Sequence, residues 1–178
     1  MALRRLTSWP GLSRPFTNEA FPHTGIKKMN EEFRKAVDAL EPKFEKLVRA
    51  KPYGFGNSLP RQGVYLFCEK ERPLYVGRSN NIPQRRRNHT QPSSLPNQAA
   101  LATLIVRKET KRPVDYRKGA RERLLADHAF MSAFEAAKDR VRNMEFRAVE
   151  ECDQTHQALL EVYCAIALKT PYNDFGTH

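Results

Sequence analysis

Two short apolar runs joined by a charged connector constrain this chain more than any other feature. Gly63-Val64-Tyr65-Leu66-Phe67-Cys68 and Leu74-Tyr75-Val76-Gly77 are rich in aromatic and β-branched residues, with Glu69-Lys70-Glu71-Arg72-Pro73 between them. Such a pattern predicts a β-hairpin. A period of two puts Tyr65 on one strand face with Gly63 and Phe67, and Tyr75 on one face with Gly77. Glycine at a strand end lets a second backbone, or a phosphate, come close. Immediately afterwards, Ser79, Asn80 and Asn81 offer N-cap oxygens and Pro83 suits a first helical turn. The helix predicted there carries Arg85 and His89 four residues apart, on a shared face.

A second informative element lies near the C-terminus. Asp153 is placed to cap a helix running to about Lys169, where Thr170-Pro171 stops it. Its middle reads Ala158-Leu159-Leu160-Glu161-Val162-Tyr163-Cys164-Ala165-Ile166, so apolar residues surround Glu161 on nearly every helical bearing. A carboxylate in such company needs a cation or must take up a proton. An arginine salt bridge and a metal ion both meet that need.

The rest of the chain frames these two pieces. Residues 1–28 hold prolines, serines and arginines with no acid before Glu19, and read as a flexible basic arm. Residues 29–178 read as one domain. Within it, Asn30 to Ala50 predicts a capped helix with Phe33, Val37, Leu40, Phe44 and Leu47 on the face that covers the sheet, kinked or divided by Pro42. A loop to residue 62 then leads into the hairpin. Residues 92–143 form a helical insertion: one helix over Asn97 to Thr110, a basic loop over Lys111 to Gly119, and a long helix from Ala120 to Asn143. Met144 to Val149 alternates and predicts a third strand.

Charge is distributed unevenly along the chain, and that matters more than the total of +11. Residues 78–123 carry 12 basic side chains against 3 acidic, whereas residues 124–178 carry 5 against 9. A basic block directly after the hairpin is the electrostatic footprint of a nucleic-acid binder, for DNA or RNA. No apolar run approaches the length that crosses a bilayer, so no membrane partner is expected. Cys68, Cys152 and Cys164 are odd in number and form no C-x-x-C pair, which indicates neither a disulfide framework nor a zinc site. A reducing, cytoplasmic setting is expected.

Gly-Val-Tyr, ten residues from Tyr65 to Tyr75, Tyr-Val-Gly and an arginine eight residues past Gly77 together resemble the GIY-YIG nuclease family. Glu161 on a C-terminal helix and Asn173 twelve residues later match the same pattern, and the departures are valine for isoleucine at Val64 and Val76. The resemblance covers Gly63 to about His89 and Met144 to Asn173. It implies an α+β fold with a small three-stranded antiparallel sheet flanked by helices. The activity it implies is a metal-dependent endonuclease that hydrolyses DNA to 5′-phosphate and 3′-hydroxyl ends. Carried over by residue, Glu161 holds one Mg²⁺ or Mn²⁺, and Tyr65 takes a proton from the attacking water. Tyr75 positions that water or braces the ion's hydration shell, and Arg85 stabilises charge on the phosphorane. His89 supports the same site or is a plain surface histidine. Asn173 holds the sheet to the helix end or contacts phosphate, while Gly77, Arg78, Ser79, Arg86 and Arg87 are expected to meet the nucleic-acid backbone. The alternative is a non-catalytic DNA- or RNA-binding module on the same fold; the presence of Tyr65, Arg85 and Glu161 together weighs against it.

Overall fold

The computed structural model describes residues 30–173 and Phe175; the basic arm expected over residues 1–28 lies outside them. The hairpin forms as β1 (Gly63–Glu69) and β2 (Arg72–Ser79). Its turn is tighter than the connector predicts, because Lys70 and Glu71 both take positive φ, at 51° and 65°. Two left-handed residues in succession match the right-handed twist of the flanking strands. The strand β3 (Glu145–Glu150) pairs with the other edge of β1, giving an antiparallel sheet in the order β2-β1-β3. Tyr65 sits opposite Gly77 on one side and Ala148 on the other, and Phe67 sits opposite Tyr75 and Phe146.

Alternation along the strands divides the core into two layers. Tyr65, Phe67, Phe146 and Ala148 pack under α3 (Ile82–Thr90), α4 (Ala100–Glu109) and α6 (His128–Arg142), with Ile82, Leu101, Ile105 and Phe134 buried between them. On the opposite face Val64, Leu66, Cys68, Val76 and Val149 meet Leu47 of α2 (Leu40–Arg49) and Leu160 and Cys164 of α7 (Gln154–Ala167). Cys68 and Cys164 are buried free thiols and Cys152 is exposed. No helix among the described residues is long and apolar enough to cross a membrane.

Two predicted helices are divided. The first breaks at Ala39, between α1 (Glu31–Asp38) and α2, rather than at Pro42 itself. Proline at 42 has no N–H for the Asp38 carbonyl and its ring crowds that oxygen, so the interruption falls one turn upstream and Pro42 sits within the first turn of α2. The long helix expected over Ala120 to Asn143 is two, α5 (Ala120–Ala126) and α6, separated by Asp127. Its carboxylate accepts from the Phe130 N–H at 2.9 Å, so a side-chain cap replaces a continued helical hydrogen bond.

Arg86, expected at the nucleic-acid backbone, is turned inward. Its guanidinium donates to the carbonyls of Tyr53 (2.6 Å) and Gly54 (2.9 Å) and lies over the rings of Phe55 and Phe146. It fastens the loop before β1 to α3. Arg86→Ala is expected to lower stability by about 2–3 kcal/mol, since it leaves two carbonyls unpaired, while the folded protein keeps its affinity for nucleic acid. Urea denaturation followed by binding to the folded fraction checks both parts.

Candidate active site

Gly77 explains how the site is placed. A Cβ at this position would lie 2.3 Å from Tyr65 Oη and 2.4 Å from its Cζ. The missing side chain thus makes room for the Tyr65 ring, which lies across β2 toward the margin of the sheet. The phosphate that a glycine here was expected to admit has its place taken by a phenol. Gly63 plays a comparable part on the other side, where its φ of 142° and lack of a Cβ let the β3 backbone come close.

At that margin both faces of the sheet contribute to one solvent-open pocket of about 420 Å³. Tyr65 and Tyr75 come from the hairpin, Arg85 from α3 and Glu161 from α7, with Arg78, Ser79, Asn80 and Gln157 completing the lining. Asn81 caps α3 by accepting from the Gln84 N–H at 3.1 Å, which aims Arg85 back across the hairpin. Arg85 Nε donates to Tyr65 Oη at 3.2 Å, and its Nη1 donates to the Gln98 carbonyl at 3.2 Å. The second bond holds the guanidinium between the hairpin and the residues leading into α4.

His89 is fully buried behind Tyr65 and does not line the pocket, so neither expectation for it is met in simple form. Its Nε2 lies 3.1 Å from Tyr65 Oη, and its Nδ1 is buried without a partner. The tautomer with hydrogen on Nε2 leaves only an acceptor unpaired, the cheaper arrangement. In that state the phenol oxygen accepts from His89 and from Arg85 at once, and its own hydrogen is left for the pocket. Burial, with a contribution from Arg85, pushes the imidazole down to about 3. His89 is therefore a neutral positioning residue. Its unfolded counterpart takes up a proton below pH 6.5 while the folded one does not until about 3. Stability contributed at neutral pH is accordingly lost as pH falls through that window. Replacing His89 with glutamine is expected to flatten this acid sensitivity in denaturant titrations run from neutral to low pH.

Electrostatics work in opposing directions on the phenols. Burial pushes Tyr65 well above the ordinary tyrosine range and Tyr75 adds to the rise, whereas the Arg85 charge and hydrogen bond oppose it. Tyr75 is raised as well, again chiefly by burial. Both are neutral phenols in the resting protein.

Glu161 reaches this pocket from the far face of the sheet. Burial raises its carboxyl above the usual glutamate range, against the pull of Arg78 and then Arg85. Oε2 accepts from Arg78 Nε at 3.1 Å, the arginine salt bridge that the sequence left open as one solution. The apolar neighbours do not enclose it on every bearing, because Val162 and Ile166 face solvent. Oε1 accepts no hydrogen bond among the described residues, and Glu161 lines the open pocket. No group of three or more His, Cys, Asp or Glu converges among the described residues. A cation held here would rest on one carboxylate, with water and phosphate oxygens completing its shell. That donor set fits a hard divalent ion such as Mg²⁺ or Mn²⁺.

The remaining predicted residues separate by position. Ser79 lines the pocket, and its Oγ accepts from the Asn81 N–H at 2.9 Å. Arg87 is exposed and donates to Gln84 Oε1 at 2.8 Å. Asn173 is a clamp: Oδ1 accepts from the Val76 N–H and Nδ2 donates to the Val76 carbonyl, each at 2.8 Å. It pairs the outer edge of β2 as a neighbouring strand would. Gln157 was not foreseen. Its Nε2 donates to the Glu151 carbonyl at 2.8 Å and to Asn80 Oδ1 at 3.3 Å, tying the start of α7 to the end of β2. The legible signal was its spacing, four residues before Glu161 on the same helical face.

A three-stranded antiparallel sheet with two phenols, a guanidinium and a carboxylate gathered at its margin defines an α+β protein with a polar pocket suited to a phosphate and a cation. Residues 61–117 match the family model described as the GIY-YIG catalytic domain, which supports a domain of the GIY-YIG nuclease family over that segment. The match includes Tyr65, Tyr75, Arg85 and His89; Glu161 and Asn173 lie beyond it. No curated protein and no solved structure matches the chain.

Proposed function

We propose that the protein is a metal-dependent endonuclease that hydrolyses DNA phosphodiester bonds to 5′-phosphate and 3′-hydroxyl ends. The observation that carries this reading is the convergence of Tyr65, Tyr75, Arg85 and Glu161, drawn from four separate elements, on one open pocket. One Mg²⁺ or Mn²⁺ held by Glu161 would polarise the scissile phosphate and stabilise the leaving oxygen. Arg85, fixed by Tyr65 and Gln98, directs its guanidinium at charge developing on the phosphorus-bound oxygens. Tyr65 first gives up its phenolic hydrogen to solvent through the open pocket and then, as the phenolate, accepts the proton of the attacking water at Oη, where the Arg85 and His89 N–H groups offset part of the penalty that burial places on the anion. Tyr75 orients the water from the adjoining wall. With an ion held by Glu161, Arg78 would be free to donate to a phosphate oxygen, and Ser79 and Arg87 would contact the backbone beside it.

The competing reading, a nucleic-acid-binding module without chemistry, draws on the Arg78–Glu161 pair, which already neutralises the carboxylate. Incubating the purified full chain with supercoiled, single-stranded and branched DNA and with RNA, with Mn²⁺ or with chelator, separates the two. Metal-dependent cleavage of DNA is expected. Binding without cleavage of any of these substrates would select the module.

A further inference from the structure

A second concavity, of about 610 Å³, is lined by α4, α5 and the segments that flank them. Its volume falls within the roughly 300–1,000 Å³ of small-molecule sites. Ala100 and Leu104 of α4 and Leu124 and Leu125 of α5 give it aliphatic walls. Its remaining lining includes five arginines and one acid, Asp115, among neutral residues, and one of the arginines, Arg112, is paired with Asp127 at 2.5 Å. That acid organises its neighbours: its carboxylate accepts from Arg117 Nε at 2.9 Å and from Arg123 Nη2 at 2.7 Å. Arg107 is held differently. Its Nε is shielded from solvent and has no hydrogen-bond partner among the described residues, so a donor in the wall stands unmatched.

The concavity is linked to the catalytic pocket through two consecutive residues. Gln98, whose carbonyl accepts from Arg85 Nη1, follows Asn97 in sequence, and Asn97 lines the concavity. A strand with a phosphate at Arg85 would therefore reach the concavity with a nearby nucleotide.

The two kinds of lining call for two kinds of surface in one ligand. Aliphatic walls take the face of a base, and arginine forks take phosphate oxygens or base-edge acceptors. A paired, stacked base shows only its edges, so its face becomes available when the nucleotide is unstacked. An acidic peptide would satisfy the arginines and leave the leucines uncovered.

We propose that this concavity seats an unstacked nucleotide of the DNA strand whose neighbouring phosphate lies at Arg85 and Glu161. The inference rests on the nuclease reading and adds a substrate class: single-stranded or locally unpaired DNA.

The test is fluorescence anisotropy of a labelled single-stranded oligodeoxynucleotide, and of its duplex, with the full chain in excess chelator. Arg107→Gln and, separately, the exposed Arg121→Glu are expected to weaken single-strand binding about tenfold, the scale of one lost charge-assisted contact, and to affect the duplex less. Arg121→Glu changes a solvent-facing side chain, so the test does not depend on how Arg107→Gln folds. Arg34→Glu on α1 makes the same charge change elsewhere and is expected to leave both affinities unchanged. Unaltered single-strand binding in both pocket variants overturns the proposal. Equal losses for both DNA forms in all three variants also overturn it, since they report only a basic surface. Tighter Arg107-dependent binding of polyglutamate than of the oligonucleotide would assign the concavity to an acidic protein, and likewise overturns it. Cleavage plays no part in this readout. If Glu161→Gln left nicking intact while single-strand binding still depended on Arg107, the nuclease assignment would fall and the nucleotide seat would stand.

Discussion

Glu161→Gln is expected to reduce Mg²⁺- or Mn²⁺-dependent nicking of supercoiled plasmid by on the order of 10²–10³-fold or more, while leaving the fold and metal-free DNA binding intact. The substitution keeps the size of the side chain and its ability to accept from Arg78 Nε, so the hydrogen bond now seen at 3.1 Å can persist. What disappears is the negative charge, and with it the only carboxylate among the described residues that lines the pocket. The pH profile of the parental protein should agree. Because burial raises the Glu161 carboxyl, protonation silences it at a pH above that of an ordinary glutamate, and activity should fall on the acid side accordingly. Nicking at the parental rate by the glutamine variant would remove Glu161 from the chemistry.

The second large effect is expected from one added methyl group. Gly77→Ala places a carbon within 2.3 Å of Tyr65 Oη and 2.9 Å of its Cε2, too close for the ring to stay where it is. Tyr65 is buried and packed against Phe67 and Phe146, so the ring can yield only toward the open pocket and away from its partners. Overpacking of this kind costs about 1–3 kcal/mol. Displacement of the phenol from Arg85 and His89 is expected to remove cleavage even in protein that remains folded. Thermal unfolding and plasmid nicking, measured on the same preparation, check the two parts. Parental activity with an unshifted melting temperature would show that the ring can be accommodated elsewhere.

Much of this arrangement was legible in the residue order because it depends on local rules. Alternation in Gly63–Phe67 and Leu74–Gly77 predicts both strands and which neighbours share each tyrosine's face, while the register that brings the two tyrosines together is seen only in the fold. The Asn81 and Asp153 caps mark where α3 and α7 begin. The hairpin turn was not legible, since Lys70-Glu71 lacks the Asn-Gly or Asp-Gly chemistry that normally announces two left-handed residues. Nor was the division at Asp127, because a cap residue inside a continuous helical pattern looks like one more exposed polar position. Side-chain partnerships across the fold were harder still. Arginines adjacent in sequence take unrelated roles: Arg85 faces the pocket, Arg86 secures a loop through two carbonyls, and Arg87 points to solvent. Composition counts their charges alike, and the tertiary surroundings decide which of them a ligand can meet. The pairing of Arg78 with Glu161 joins residues 83 positions apart and has no signature in either neighbourhood.

The phenols approach the pocket from one side of the sheet and the acid from the other, so the reactive set exists only while α7 is docked. That docking depends on contacts far from any substrate, among them Leu47 of α2 packed with Leu160, and the Tyr163 hydroxyl donating to Glu41. A half-assembled molecule would have its tyrosines and arginine in place and no acid to complete them. On the proposed reading, cutting power is thus tied to structural completeness: the enzyme is harmless to nucleic acid until its last layer closes, and weakening the α2–α7 seam would disarm it without altering any group that touches DNA.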